Sequence, residues 1–197
     1  FAGLTCLLLL QAGGASAATV LNFRTNVGNL GATGNLGSLH TFSADDVTFQ
    51  ATSIGGDLFT ANTGLGVSGA PAGNNLGTNA TVSESLTLDF MQDVVLTDIV
   101  FWEHRAGDET FEIRDGSNNL LTTISVANGS NRSSFQTVSG LALTGSVFTI
   151  QHVAGSGGRL SAITVIPAQI PIPAAGGMLL ASLATFGFIS RRRRKAA

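Results

Sequence analysis

The chain of 197 residues carries a single cysteine, Cys6, four prolines and only 11% charged residues, and each scarcity removes a class of protein. One thiol cannot make a disulfide framework or a cysteine metal cluster. The low charge, set against 44% hydrophobic residues, excludes a disordered polar chain. Basic residues are scarcer in the body than the net charge of −2 indicates, because Arg191, Arg192, Arg193, Arg194 and Lys195 supply five of the ten. What remains is five bases against 12 acids, a balance of −7. An acidic body lacks the basic patch that displaces counterions from phosphates, so nucleic acid is excluded as a partner. The chain shows no repeat, and its length fits one domain with terminal extras.

Familiar catalytic patterns are missing too. The glycines of 28–37 are not followed by a Gly-Lys-Ser/Thr phosphate cradle. Gly155-Ser156-Gly157 sits between Ala154 and Gly158, which breaks the spacing of a serine elbow. His40, His104 and His152 are too far apart in the chain for a local zinc motif.

What is present begins at the two ends. Residues 6–10 are an apolar run, and Ala15-Ser16-Ala17 before Ala18 supplies the small side chains that signal peptidase needs at Ala15 and Ala17. Residues 1–17 therefore read as a signal peptide whose basic start is missing, and Cys6 leaves with it. At the other end, residues 174–189 carry no charge and run straight into the five cations. At about 1.5 Å per residue they span roughly 24 Å, a short membrane helix that Ser190 and the residues before it can lengthen. The cations of 191–197 stay cytoplasmic by the positive-inside rule, which sends residues 18–167 across the membrane.

Pro167, Pro171 and Pro173 crowd the approach to the span and hold it extended. Ile170-Pro171-Ile172-Pro173-Ala174-Ala175-Gly176, then a short span, then an Arg-rich tail, resembles the VPLPA-CTERM class of PEP-CTERM sorting signals, with Ile in place of Val and of Leu. The resemblance implies an exported protein of a Gram-negative bacterium. It would be held briefly in the inner membrane, processed by an exosortase at 168–173, and delivered to the cell surface or its polysaccharide matrix.

The body, 18–167, is filled with short β-like runs and keeps no 3.6-residue apolar period. Strands are predicted at 19–23, 47–52, 58–61, 85–90, 94–102, 110–114, 120–126, 147–153 and 159–166. Leu86, Leu88 and Phe90 alternate with Ser85, Thr87 and Asp89, so one face is core. Asp115-Gly116-Ser117-Asn118-Asn119 joins two strands as a hairpin loop, since Gly and Asn accept positive φ. Residues 28–38 and 64–81, rich in Gly and Asn, read as long surface loops. Gly64-Leu65-Gly66-Val67, Glu84-Ser85-Leu86-Thr87-Leu88-Asp89-Phe90 and Asp115-Gly116 are similar to the β-rich bodies of PEP-CTERM proteins, which implies an all-β, jelly-roll-like antiparallel sandwich of lectin type.

Trp102-Glu103-His104-Arg105, followed by Asp108, Glu109 and Glu112, is the richest local chemistry. An aromatic face with guanidinium and carboxylate neighbours can hold a sugar, and exopolysaccharide is the partner this implies. Alternation, however, puts Trp102 with Val100 and Leu96, which makes it a half-buried core residue and leaves Glu103 and Arg105 in solvent. No cofactor is required. A structural calcium is the one ion that Asp45, Asp46, Asp57, Asp89, Asp93, Asp98, Asp108, Glu109 and Asp115 would suit, although none has EF-hand spacing and a plain turn accounts for the Asp115 loop. No paired carboxylates stand out, so the chain reads as a non-enzymatic surface or matrix protein, with a carbohydrate-binding module as the alternative.

The terminal motifs make a definite prediction about mass. Protein recovered from the cell surface should begin at Ala18 and lack Arg191 to Lys195, as read by N-terminal sequencing and intact-mass spectrometry. Surface protein that retains the arginine tail would replace sorting by simple anchoring.

Overall fold

The computed structural model describes residues 17–69, 75–77, 83–103, 108–126 and 134–168. All lie in one of two compact units of the chain, Ser16–Ala168. The signal peptide, the sorting motif, the 174–190 span and the basic tail lie outside the described residues. Among the described residues no helix is long and apolar enough to cross a membrane.

The described body is all-β and antiparallel. Its strands are β1 (Thr19–Asn22), β2 (Gly34–Gly37), β3 (Leu39–Ala44), β4 (Val47–Ile54), β5 (Asp57–Ala61), β6 (Gly64–Ser68), β7 (Ser85–Glu103), β8 (Glu109–Asp115), β9 (Leu120–Val126), β10 (Phe135–Ala154) and β11 (Gly158–Pro167). The runs predicted at 85–90 and 94–102 are two halves of β7, and 147–153 is only the end of β10.

β7 and β10 organise the rest. The first half of β7 pairs with β4 and with the end of β10, Leu86 opposite Ile150. Its second half pairs with β11 and with the start of β10, Trp102 opposite Phe135. Between the halves the chain turns over at Met91, whose φ is 55° and whose amide donates to Asp89 Oδ1 at 2.9 Å. One layer therefore holds β3, β4, β8, β9 and the adjoining halves of β7 and β10, and the other holds β1, β2, β5, β6, β11 and the remaining halves.

The two layers close on a core of phenylalanine. Phe101 in one layer stacks on Phe111 in the other, with ring centres 4.1 Å apart. Phe23, just after β1, meets Phe42 and Phe49 edge-on at 5.6 and 6.0 Å. Each of these side chains is shut from water, a gain of about 1.5–3 kcal/mol apiece. The predicted alternation holds in β7, where Leu86, Leu88 and Phe90 are all buried.

Two predicted loops are instead partly strand. Residues 28–38 contain β2, and 64–81 contain β6, whose Leu65 and Val67 are fully buried. Glycine misleads here because β6 needs it for close approach rather than for a turn. Gly64 has a φ of 139°, and a Cβ there would stand 2.8 Å from the Leu160 carbonyl carbon and 2.9 Å from Ser161 Cα. β3 matches none of the predicted runs. It is short and half polar, but Phe42 and Ala44 face the core.

Ile54 at the end of β4 lies opposite Ser85 at the start of β7, Ala154 at the end of β10 lies opposite Thr110 of β8, and Val126 at the end of β9 lies opposite Glu109, so these strand ends share one end of the body, here the loop end. The body begins at Thr19 and finishes at Pro167 at the other end, where Ala17, Ala18, Asp45, Asp46 and Gln92 complete the lining of an open cleft of about 350 Å³. Substitution at Gly64 tests the close approach. Gly64→Ala should lower stability by about 2 kcal/mol or more, through steric collision and the positive φ together. Gly31→Asn, at a φ of 67° with open space around it, should be nearly neutral in the same thermal melts.

Candidate functional site

Alternation along β7 does not carry Trp102 into the core. Leu96 and Ile99 both point inward although they are three positions apart, an odd spacing, because the chain bulges at Thr97. The pairing shifts there on both sides, between Asp98 and Leu96 against β11 and again against β10. One extra residue reverses every later side chain. Phe101 therefore takes the core position, and Trp102 faces outward with Val100 and Asp98.

On that outer face Trp102 lies between Arg159 of β11 and Phe135 of β10, each directly opposite it in register. The Arg159 guanidinium sits over the Trp102 ring, 5.3 Å from its centre. Arg24, just after β1, sits over the Phe135 ring at 4.4 Å. Both arginines are tied to one turn between β5 and β6. Arg24 Nε donates to the Asn62 carbonyl at 3.2 Å, and Arg159 Nη1 donates to Thr63 Oγ1 at 2.6 Å. Trp102 is only 9% exposed under this cover, whereas Phe135 is 42% exposed. Burial lowers the pKa of Arg159 from its ordinary value. Glu103 closes β7, and His104 and Arg105 lie outside the described residues.

The loop end beneath this row is braced by buried polar groups. Glu109, at the start of β8, is fully buried. Its Oε2 meets His152 Nε2 at 2.8 Å and accepts the Gly157 amide at 2.9 Å, while Oε1 accepts the Ser156 amide at 2.8 Å. The Gly155-Ser156-Gly157 turn is thus a wrapping for a carboxylate, and a Cβ at Gly155 would strike it. Alternation alone could have found Glu109, since it shares a face with Phe111 and Ile113.

Glu84 is the second buried acid. Its Oε2 accepts the Gly77 amide at 2.8 Å, and its own amide donates to the Gly77 carbonyl at 2.9 Å, so it closes the base of 77–84. Oε1 has no hydrogen-bond partner. Desolvation raises its pKa from 4.5 to about 7, against the opposing pull of the Gly77 amide. Nothing in the sequence distinguishes Glu84 from a solvated strand-entry residue.

Among the described residues, no group of three or more His, Cys, Asp or Glu is placed to hold a metal. Asp115 spends its carboxylate on its own turn, Oδ1 accepting the Ser117 and Asn119 amides at 2.9 and 2.8 Å and Oδ2 the Asn119 side chain at 2.9 Å. The loop is the predicted hairpin, with Asn118 at a φ of 65°. Glu112 pairs with Arg114 at 2.6 Å.

No family model matches this chain, and no curated protein does. Solved structures with partial likeness include a Streptococcus pneumoniae fucose binding module, SpX-3, at 13% identity and a TM-score of 0.30, covering 44% of this chain and 66% of that one. CpGH89CBM32-5 from Clostridium perfringens, in complex with GalNAc-beta-1,3-galactose, is 14% identical at a TM-score of 0.34, covering 60% of this chain and 94% of that one. The C-terminal domain of a chitobiase from Bacteroides fragilis is 13% identical at 0.31, covering 48% and 69%. Likenesses at this level carry no argument about what this chain binds.

Glu84 sets a pH dependence with a definite sign. Its folded pKa lies above the unfolded one, so its contribution to stability is complete below about 4.5 and is lost as pH rises through about 7. Glu84→Gln should raise the melting temperature relative to the native chain at pH 8 and flatten its dependence between pH 5 and 8. A melting curve for Glu84→Gln that falls with pH as steeply as the native one would place the titration elsewhere.

Proposed function

We propose that this chain is a non-enzymatic, exported carbohydrate-binding module, folded as a jelly-roll-like β-sandwich and delivered to the surface or polysaccharide matrix of a Gram-negative bacterium. The observation that carries the binding half is the row formed by Arg159, Trp102, Phe135 and Arg24 on the outer face of one layer. Aromatic rings interleaved with guanidinium groups offer apolar faces for C–H groups and forked donors for hydroxyls. Phe135 is the accessible ring of the row and Trp102 its covered support.

Two further points support a binding rather than a catalytic role. Glu109 and His152, the one hydrogen-bonded acid–imidazole pair among the described residues, are both 0% exposed and their contacts brace strands. No substrate reaches them without opening the core. The row itself contains no carboxylate among its named members that could act as acid or base.

The delivery half rests on the terminal motifs and is independent of the ligand. Signal peptidase acts at Ala15 and Ala17, the 174–190 segment holds the precursor in the inner membrane, and an exosortase acts near Ile170, Pro171, Ile172 and Pro173. Retention by Arg191 to Lys195 then keeps the tail cytoplasmic until cleavage.

Glycan arrays probed with the full-length chain test the binding half. Phe135→Ala removes a half-exposed ring and should abolish glycan signals while moving the melting temperature little. Trp102→Ala is the poorer probe, since deleting a buried tryptophan costs about 3–5 kcal/mol of stability. Undiminished signals with Phe135→Ala would remove the row from the site, and a blank array with the folded native chain would leave a surface protein without a glycan ligand.

A further inference from the structure

We infer that Arg24, held on the Phe135 ring beside Arg159, recognises a carboxylated sugar, so that the ligand of this face is an acidic polysaccharide; this rests on the glycan-binding reading above. The first observation is where the positive charge goes. The body has five bases against 12 acids. Of the three arginines among the described residues, two, Arg24 and Arg159, lie on this one row.

The second is the state of the Arg24 fork. Its Nε is spent on the Asn62 carbonyl, and the ring fixes the plane of the guanidinium. Among the described residues Nη1 and Nη2 donate to nothing, and no carboxylate lies within ion-pair distance. A planar, pre-oriented pair of N–H groups is what a carboxylate takes bidentately. The third is convergence: consecutive residues Asn62 and Thr63 tether both guanidinium groups to one turn. Asp98, on the same face of β7, does not serve this purpose. Hydrogen bonds from Thr97, Ser139 and Thr164 engage its carboxylate and hold its pKa below the usual range.

The negative charge of the body as a whole opposes a polyanion. That repulsion acts at long range and is screened within about 8 Å at physiological ionic strength, whereas a bidentate contact acts at hydrogen-bond distance. The local contact decides the sign, and the long-range term slows association.

Polygalacturonate and its carboxyl-reduced neutral counterpart distinguish charge from sugar shape. The full-length chain in a mild detergent should bind the acidic polymer about tenfold tighter in calorimetry, with the advantage shrinking as sodium chloride rises. Arg24→Gln should make the two affinities equal, Arg24→Lys should keep part of the preference, and Phe135→Leu should reduce it by freeing the guanidinium plane. Circular dichroism melts establish that each variant is folded. A preference that survives Arg24→Gln, or equal native affinities for the two polymers, overturns the inference and leaves glycan binding standing. Binding to neither polymer, together with a blank glycan array, overturns both.

Discussion

The ladder between β7 and β10 is the constraint on which the rest of the body depends. Each strand is continuous through both layers, so their pairing fixes the spacing of the layers as well as the order of strands within them. β4 can add only to the first half of β7, and β11 only to the second. The bend at Met91 and the shift between Gly145 and Val147 fall together, which lets the pair fold over as a unit and bring Phe101 onto Phe111. A strand pair bent in this way trades a few ladder hydrogen bonds at the fold for a closed hydrophobic core.

Bulges then decide which residues meet solvent. The shift at Thr97 turns Trp102 outward while leaving Leu96 and Ile99 both inside. Without it, Trp102 would occupy the space of Phe101 and the outer face would lose its aromatic row. The row exists because three strands, β11, β7 and β10, present Arg159, Trp102 and Phe135 at one level, and because the β5–β6 turn reaches across to hold both arginines. Chemistry on a sheet face is set by register before it is set by residue type.

Beneath that face, two carboxylates are buried for opposite reasons. Glu109 is satisfied by the Ser156 and Gly157 amides and meets the His152 ring, so its contacts lock β8 to the turn that links the layers at the loop end. Glu84 is half satisfied and titrates near neutrality, so its charge adds an unpaired buried oxygen as pH rises. A buried acid with one orphaned oxygen prefers its proton.

The sequence by itself determined the fold class, the Asp115 hairpin and the core face of Leu86, Leu88 and Phe90, because period-two alternation and turn chemistry are local and survive without knowledge of partners. It also carried the terminal motifs, which are read as linear signals. β2 and β6 escaped because glycine in a strand looks like glycine in a loop until the neighbouring backbone is known. The outward face of Trp102 escaped because a bulge has no reliable signature in its own residues; it arises where two neighbours slip register together. Arg24 and Phe135 are more than a hundred positions apart in the chain, and only the folding of β10 back beside β7, with the β5–β6 turn laid over the same face, brought that cation onto that ring.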